Sequence, residues 1–156
     1  MERISQRDLP EGLLQSMLQV QNYVDNSGLD PKIVGLIRFR VSQINNCAYC
    51  LDMHSKDLRA NGETEQRLYV LDAWREAPFY TERERAALAW AEAVTKLPQG
   101  NVPDKIYDEA RNHFSEEELI DLTLAVITIN SYNRMNIAFR TTAGNYRVGQ
   151  HAALVK

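Results

Sequence analysis

Apolar residues recur at helical spacing through nearly the whole chain, and this pattern predicts helices rather than strands. Residues 12–26 carry leucine, methionine and valine three or four positions apart, and Ser27-Gly28 ends the pattern. Asp30-Pro31 then forms a helix-entry pair, with the aspartate as N-cap and the proline in the first turn. A third helix is predicted to begin near Cys47 and to end at Asn61-Gly62.

The second half of the chain continues in the same way. Thr64 is a predicted cap for a helix that runs on as far as Pro78. Residues 81–84 and 115–118 each fit a capping box, in which a hydroxyl and a glutamate three positions later satisfy backbone amides. Between the two boxes, Pro103 opens a short amphipathic helix. These signals predict four further helices.

The segment 122–129 is rich in β-branched residues and fits a buried strand by composition. The preceding capping box, the lack of a turn signal before Gly144 and the absence of other strand candidates favour a long buried helix instead. We expect this helix to run to about Thr142. The predicted fold class is therefore all-α.

Composition and length agree with one domain. The chain has 156 residues, of which 44% are hydrophobic and 25% charged, as in a globular protein. We expect a single helical domain over residues 1–156, with a core at about 10–143 and a C-terminal tail at 144–156. A net charge of −3 without a basic run argues against a nucleic-acid partner. The polar N-terminus and the lack of a long apolar run predict a cytoplasmic protein without a membrane partner.

The two cysteines carry the chemistry that the sequence suggests. They form a CxxC motif, and a pair so spaced in a reducing cytosol is more often redox-active or metal-binding than structural. If a helix begins at Cys47, then Cys47, Cys50 and His54 lie on one helical face. A helix N-terminus and a nearby imidazole both favour the thiolate, which is the nucleophile. This arrangement suits attack on a peroxide or a disulfide, with a sulfenic acid on one cysteine resolved by the other.

Two other interpretations of the motif stay open. The cysteines could be two small buried hydrophobic residues at a helix start. They could also bind zinc together with His54, although a structural zinc site needs a fourth ligand such as His113 or His151. We expect neither a metal nor a cofactor. Farther along the chain, the polar group at 130–136 within an apolar helix predicts a buried polar network, with ligand binding as the less favoured alternative.

The stretch 40–54, with Gly62 closing its helix, resembles the alkylhydroperoxidase D-like branch of the carboxymuconolactone decarboxylase family. The segments 79–89 and 129–134 also resemble that branch, and the likeness extends over about residues 10–142. It implies an all-helical homo-oligomer, a trimer or a hexamer, that acts as a disulfide-cycling peroxidase. The implied function is thiol-dependent hydroperoxide reduction in antioxidant defence.

The resemblance also implies roles for the site residues. Cys50 would attack the peroxide, Cys47 would resolve the product as a disulfide, and His54 would help to activate the thiol. The substrate would be a small peroxide, and an external dithiol would reset the enzyme. In some members of the branch that dithiol is of the lipoyl type.

Two positions depart from the family pattern. Gly35 stands where the family's proton relay usually has a glutamate, and Tyr49 stands where some members have a histidine. Glu84 and Glu92 are candidates for the missing carboxylate. The gap motivates an alternative function, a thiol–disulfide oxidoreductase or redox sensor with little peroxidase turnover.

Overall fold

The computed structural model describes residues 1–5 and 8–151, and within them α-helices and short 3₁₀ turns form the fold, without strands. The helices are α1 (Glu11–Asp25), α2 (Pro31–Ile44), α3 (Ala48–Ala60), α4 (Glu65–Tyr69), α5 (Glu82–Lys96), α6 (Asp104–His113) and α7 (Glu116–Phe139). The all-α prediction is confirmed. In the part of the chain so described, no helix is long and apolar enough to cross a membrane.

Helix α2 lies at the centre of the fold, where it packs against α3, α5 and α7. Its buried positions recur on most sides of the helix, which explains why its sequence is apolar almost throughout. One hydrophobic core joins α2 to α1, α5, α6 and α7, and a second, smaller core lies where α2 and α3 meet α4 and α5. Because α2 packs against both α3 and α7, it holds the first turn of α3 next to α7.

The ambiguous apolar segment is helical, as predicted. Ser115 caps α7, because its hydroxyl accepts a hydrogen bond from the Glu118 amide and the Glu118 carboxylate accepts one from the Ser115 amide. The helix continues for 24 residues and is buried at intervals along most of its length. It ends at Phe139, slightly earlier than expected, because Arg140 adopts a left-handed conformation with φ of 56°.

The single helix predicted between Thr64 and Pro78 is wrong. The helix ends at Tyr69 and is followed by a 3₁₀ turn over Leu71–Ala73. The Arg85 guanidinium donates hydrogen bonds to three carbonyl oxygens in the segment that follows, at Trp74, Arg75 and Ala77. A side chain from α5 therefore satisfies carbonyls that lack helical partners, and the periodicity of the sequence does not reveal this contact.

The polar group in α7 forms part of the network that the sequence predicts, although only Asn133 is fully buried and Arg134 is exposed. The Asn45 side-chain amide donates to the side-chain oxygens of Asn130 and Asn133, both across 2.9 Å. Asn133 is fully buried and donates in turn to the Ser42 hydroxyl, while Asn130 donates to Thr95. Satisfied buried amides of this kind specify one register between helices. The network locks the end of α2 onto the middle of α7.

Residues 144–151 lie along the surface of α3 in an irregular conformation. The Gly144 amide donates to the Asp52 carboxylate, and the Lys56 ammonium, paired with Asp52, donates to the carbonyl of Tyr146. Tyr146 itself is buried. The expected tail is therefore packed against the helix that carries the CxxC motif; its remaining residues, 152–156, lie outside the described residues.

Candidate active site

A tight turn between α2 and α3 places the two cysteines. Asn46 takes a left-handed conformation with φ of 56°, which asparagine tolerates better than most residues, and the Cys47 amide then donates to the Ser42 carbonyl. Cys47 is the N-cap of α3, and Cys50 lies one turn into the helix. Their Cα atoms are 5.3 Å apart, and the two sulfurs form a disulfide. The predicted pairing at a helix start is confirmed.

Both cysteines are buried, with 1% and 0% of their surfaces exposed, but their surroundings differ. Cys50 forms part of the wall of a cavity of about 1220 Å³ between α1, α2, α3 and α7. The N-terminal turn of α3 has no side chain capping it, so its amide groups favour negative charge on nearby atoms. The apolar part of the cavity wall includes Leu14, Leu18, Val24, Leu29, Met53 and Ile129.

His54 lines the same cavity, one helical turn beyond Cys50. Its Nε2 atom is buried without a hydrogen-bond partner. Burial lowers the pKa of His54 to about 3, and the positive charge of Arg38 acts in the same direction. Arg38 is itself paired with Asp25 across 2.7 Å. The imidazole of His54 is therefore neutral at physiological pH.

Helix α7 also contributes residues to the wall of the cavity. Thr128, Tyr132 and Asn136 are spaced four residues apart, lie on one face of α7 and line the cavity. The Asn136 side-chain amide donates to the sulfur of Cys50 across 3.5 Å. The hydroxyl of Tyr132 is buried and, like His54 Nε2, has no hydrogen-bond partner.

The structure gives a steric reason for the glycine at the family's relay position. A Cβ atom at Gly35 would come within 2.7 Å of the Leu58 side chain, closer than carbon atoms approach in proteins. Leu58, which is buried, occupies the space that a longer side chain on α2 would need. A carboxylate at this place is thus replaced by an apolar contact between α2 and α3.

Glu92, one of the two candidate substitutes, is engaged in another part of the core. Its carboxylate accepts hydrogen bonds from Arg40, Trp74 and Arg75, at 2.8, 3.0 and 2.7 Å. Burial alone would raise the pKa of Glu92, but these three donors together hold it below its usual value. This carboxylate is a structural anion on the α2–α5 side of the fold.

Glu84, the other candidate, caps α5 through the Thr81 amide and pairs with Arg67 across 2.6 Å. It lines a far part of the large cavity, next to Arg67 and Thr81. All of its hydrogen bonds go to these two residues. Neither candidate glutamate is bonded to His54 or to the cysteines.

The C-terminal segment completes the surroundings of the motif. The hydroxyl of Tyr49 and Nε2 of His151 are 3.0 Å apart, and the His151 ring stacks on Tyr146. Tyr146 donates to both carboxylate oxygens of Asp57, at 2.8 and 3.0 Å. Burial lowers the pKa of His151 and raises that of Asp57. Aromatic and imidazole groups from the end of the chain thus border the cavity.

The structure brings Cys47, Cys50 and His54 onto one face of α3, as the sequence predicts. His113 lies on α6, bonded to Glu109. Within residues 1–5 and 8–151, no three side chains of metal-ligating type converge on one point.

Sequence reasoning missed three residues that border the cavity with Cys50, namely Arg38, Tyr132 and Tyr146, and it considered His151 only as a zinc ligand. The four-residue spacing from Tyr132 to Asn136 offered a usable signal, because it repeats the spacing from Cys50 to His54. Tyr146 and His151 come from the C-terminal segment, which has no periodic pattern to interpret.

Comparison with known proteins agrees with this geometry. The profile of the carboxymuconolactone decarboxylase family matches residues 11–93. The uncharacterised protein YdfG of Bacillus subtilis (strain 168) is 43% identical over 145 residues, which cover 92% of this chain and 98% of YdfG.

Solved structures extend the likeness to the whole fold. A protein of unknown function from Agrobacterium tumefaciens, proposed to be the antioxidant defence protein AhpD, superposes with a TM-score of 0.89. It is 39% identical, and the match covers 94% of this chain and 100% of that one. The debrominase Bmp8 shares the fold at a TM-score of 0.77 and 22% identity, over 86% of this chain and 72% of its own. The chain belongs to the carboxymuconolactone decarboxylase family, in its alkylhydroperoxidase D-like branch.

Proposed function

We propose that this protein is a thiol-dependent hydroperoxide reductase that serves in antioxidant defence. The observation that carries the proposal is the Cys47–Cys50 disulfide at the start of α3, with Cys50 in the wall of a large cavity. A pair that closes a disulfide within one helical turn can pass between dithiol and disulfide without a change of fold. The cavity gives a peroxide a place to bind next to Cys50, whose side chain is fully buried in the disulfide form.

The surroundings of the sulfurs support different roles for them. Cys50 borders the cavity, accepts a hydrogen bond from Asn136 and lies in the amide-rich first turn of α3. The hydrogen bond and the helix N-terminus favour a thiolate at Cys50 in the reduced protein, whereas burial acts against it. Cys47 is the N-cap residue, one turn away, where it can attack an oxidised Cys50. We therefore assign peroxide attack to Cys50 and resolution to Cys47.

The cycle is balanced with an external dithiol as reductant. The Cys50 thiol and the hydroperoxide give a sulfenic acid and an alcohol, or water from hydrogen peroxide. The Cys47 thiol then displaces water from the sulfenic acid and forms the disulfide. Thiol–disulfide exchange with the dithiol regenerates both thiols and releases the oxidised reductant. We assign to neutral His54, one turn from Cys50, a hydrogen bond to the thiol or to the bound peroxide; because its pKa is about 3, the thiol proton passes to the leaving oxygen and not to the ring.

Peroxide consumption in the presence of dihydrolipoamide tests the proposal. Wild-type protein should consume tert-butyl hydroperoxide catalytically, and Cys50→Ser should abolish the activity. Cys47→Ser is the matched control, because it removes the neighbouring sulfur but leaves Cys50. It should consume one equivalent of peroxide, stop, and hold a sulfenic acid that dimedone traps. Equal turnover in wild type and Cys50→Ser would overturn the assignment.

One observation favours a second candidate function, a thiol–disulfide oxidoreductase or redox sensor. Among the residues that the structure describes, no carboxylate is hydrogen-bonded to Nε2 of His54, and Leu58 fills the space beside Gly35, the position of the family's relay glutamate. Stoichiometric oxidation of the reduced protein separates the two functions. A rate far above that of free cysteine supports the peroxidase, whereas a rate like that of free cysteine, with fast dithiol exchange, supports the sensor.

A further inference from the structure

Two residues that line the cavity each carry a buried polar atom without a hydrogen-bond partner. The two atoms are Nε2 of His54 and the hydroxyl oxygen of Tyr132, and they are the buried side-chain nitrogen and oxygen atoms left unsatisfied in residues 1–5 and 8–151. A buried polar group without a partner costs about 1–3 kcal/mol. Native proteins satisfy nearly all such groups, so two in one cavity indicate a place where a ligand supplies the partner.

The packing of α3 against α7 relates both atoms to the reactive sulfur. Asn136 of α7 contacts the sulfur of Cys50 on α3. Tyr132 lies one turn before Asn136, and His54 lies one turn after Cys50. Each unpartnered group is therefore one helical turn from the contact that joins the two helices.

Arg38 provides a second relation between the two groups. It lines the same cavity from α2, and its charge acts on both His54 and Tyr132. The guanidinium is paired with Asp25, so its charge is balanced within the fold. The three side chains share a cavity wall with apolar residues such as Leu14, Leu18 and Met53 and with polar residues such as Arg67 and Glu84. A peroxide that carries an apolar group can make both kinds of contact with such a wall.

We propose that Tyr132 is a catalytic hydrogen-bond donor in hydroperoxide reduction, and that its hydroxyl holds the oxygen that leaves when Cys50 attacks. This role rests on the proposed function. The Cys50 sulfur bonds to the outer peroxide oxygen, the O–O bond breaks, and its electron pair goes to the oxygen that carries the organic group. That oxygen takes the proton released by the thiol and departs as an alcohol. His54 Nε2 is the second polar contact of the bound peroxide.

The chemistry of Tyr132 suits a donor that keeps its own proton. Burial raises the pKa of Tyr132, so the phenol stays protonated at physiological pH. A donor already in place where negative charge develops stabilises the transition state without reorganisation. Removal of one such donor slows other enzymes by about 10²–10³-fold, and a single neutral hydroxyl should be worth at least about tenfold.

The test compares wild type, Tyr132→Phe and Tyr69→Phe. The last is the matched control, since Tyr69 lies on α4 with 72% of its surface exposed. Each reduced protein is treated with tert-butyl hydroperoxide and, separately, with iodoacetamide, and modification of Cys50 is followed by quenched-flow mass spectrometry. Iodoacetamide reacts with the same thiolate but expels iodide, which is not an oxygen leaving group. Thermal unfolding of each variant checks the fold.

We expect Tyr132→Phe to lower the rate with hydroperoxide at least about tenfold, with the iodoacetamide rate unchanged and the melting temperature unchanged or higher, since the unpartnered hydroxyl is removed. An unchanged hydroperoxide rate, or an equal fall with both reagents, would overturn the role of Tyr132 while leaving the peroxidase intact. If wild type and Tyr69→Phe also fail to react faster than free cysteine, the proposed function itself fails, and the role of Tyr132 fails with it.

Discussion

The side-chain amide of Asn136 donates a hydrogen bond to the sulfur of Cys50 across 3.5 Å and so joins α7 to the first turn of α3. In the reduced protein this bond stabilises the thiolate, and a hydrogen bond to a charged group is worth about 1.5–3 kcal/mol. We expect Asn136→Leu to raise the pKa of the Cys50 thiol by about one unit or more.

Alkylation of the reduced protein at a series of pH values, read by mass spectrometry, measures that pKa. Asn112→Leu, on an exposed position of α6, is the control and should leave the Cys50 titration where it is. An unchanged titration in Asn136→Leu would mean that the amide does not tune the sulfur.

The contact between Gly35 and Leu58 can be tested by a double-mutant cycle. Gly35→Ala should lower the free energy of unfolding by about 1 kcal/mol, because crowding against Leu58 exceeds the gain in helix propensity. In a Leu58→Ala background the same change should be stabilising, since the space is then free. Gly12→Ala is the control. Nothing lies within 4 Å of a Cβ atom at Gly12, so this substitution should stabilise α1 in the otherwise wild-type protein. Denaturant unfolding measures all of these, and additivity between positions 35 and 58 would refute the steric account.

Glu92 is expected to matter for stability and not for chemistry. Glu92→Gln removes the buried anion of the Arg40 guanidinium and leaves it only the exposed Asp72, so we expect unfolding to become easier by about 3 kcal/mol. Oxidation of Cys50 in the folded variant should keep the wild-type rate within about twofold, since this carboxylate contacts Arg40, Trp74 and Arg75. Glu76→Gln, at an exposed position, controls for loss of a surface charge. A large fall in oxidation rate with unchanged stability would assign Glu92 to proton transfer after all.

Stability should depend on pH through His54. Its folded-state pKa of about 3 lies below the ordinary value of 6.5, so the fold favours the neutral ring. The stability that this preference provides is complete above pH 6.5 and is lost as the pH falls toward 3. Between pH 6 and 4, wild type should lose up to about 1.4 kcal/mol per pH unit more than His54→Gln.

Urea unfolding at several pH values checks this slope. His113→Gln is the control, because His113 lies on α6 and bonds to Glu109. The stability of His113→Gln should fall with decreasing pH as steeply as that of wild type. Parallel curves for wild type and His54→Gln would show that His54 is not desolvated in the folded state.

The helices that the sequence predicts well are those with local signals. The capping box at 115–118 and the apolar pattern after it are enough to predict α7, because caps and periodicity act within a few residues. The segment after Tyr69 has no such local signal. Its carbonyls are satisfied by Arg85, whose contact depends on how α5 packs, and no local pattern encodes that packing.

The same distinction between local signals and long-range packing applies to the candidate site. By itself the sequence determined an all-helical chain and a helix that begins next to Cys47 and aligns Cys50 with His54, because helical spacing alone sets that face. Only the tertiary structure decided what faces those groups. It brought Asn136 to the sulfur and Tyr132 into the cavity, and it directed Glu92 to Arg40, because contacts between distant residues arise from the packing of helices.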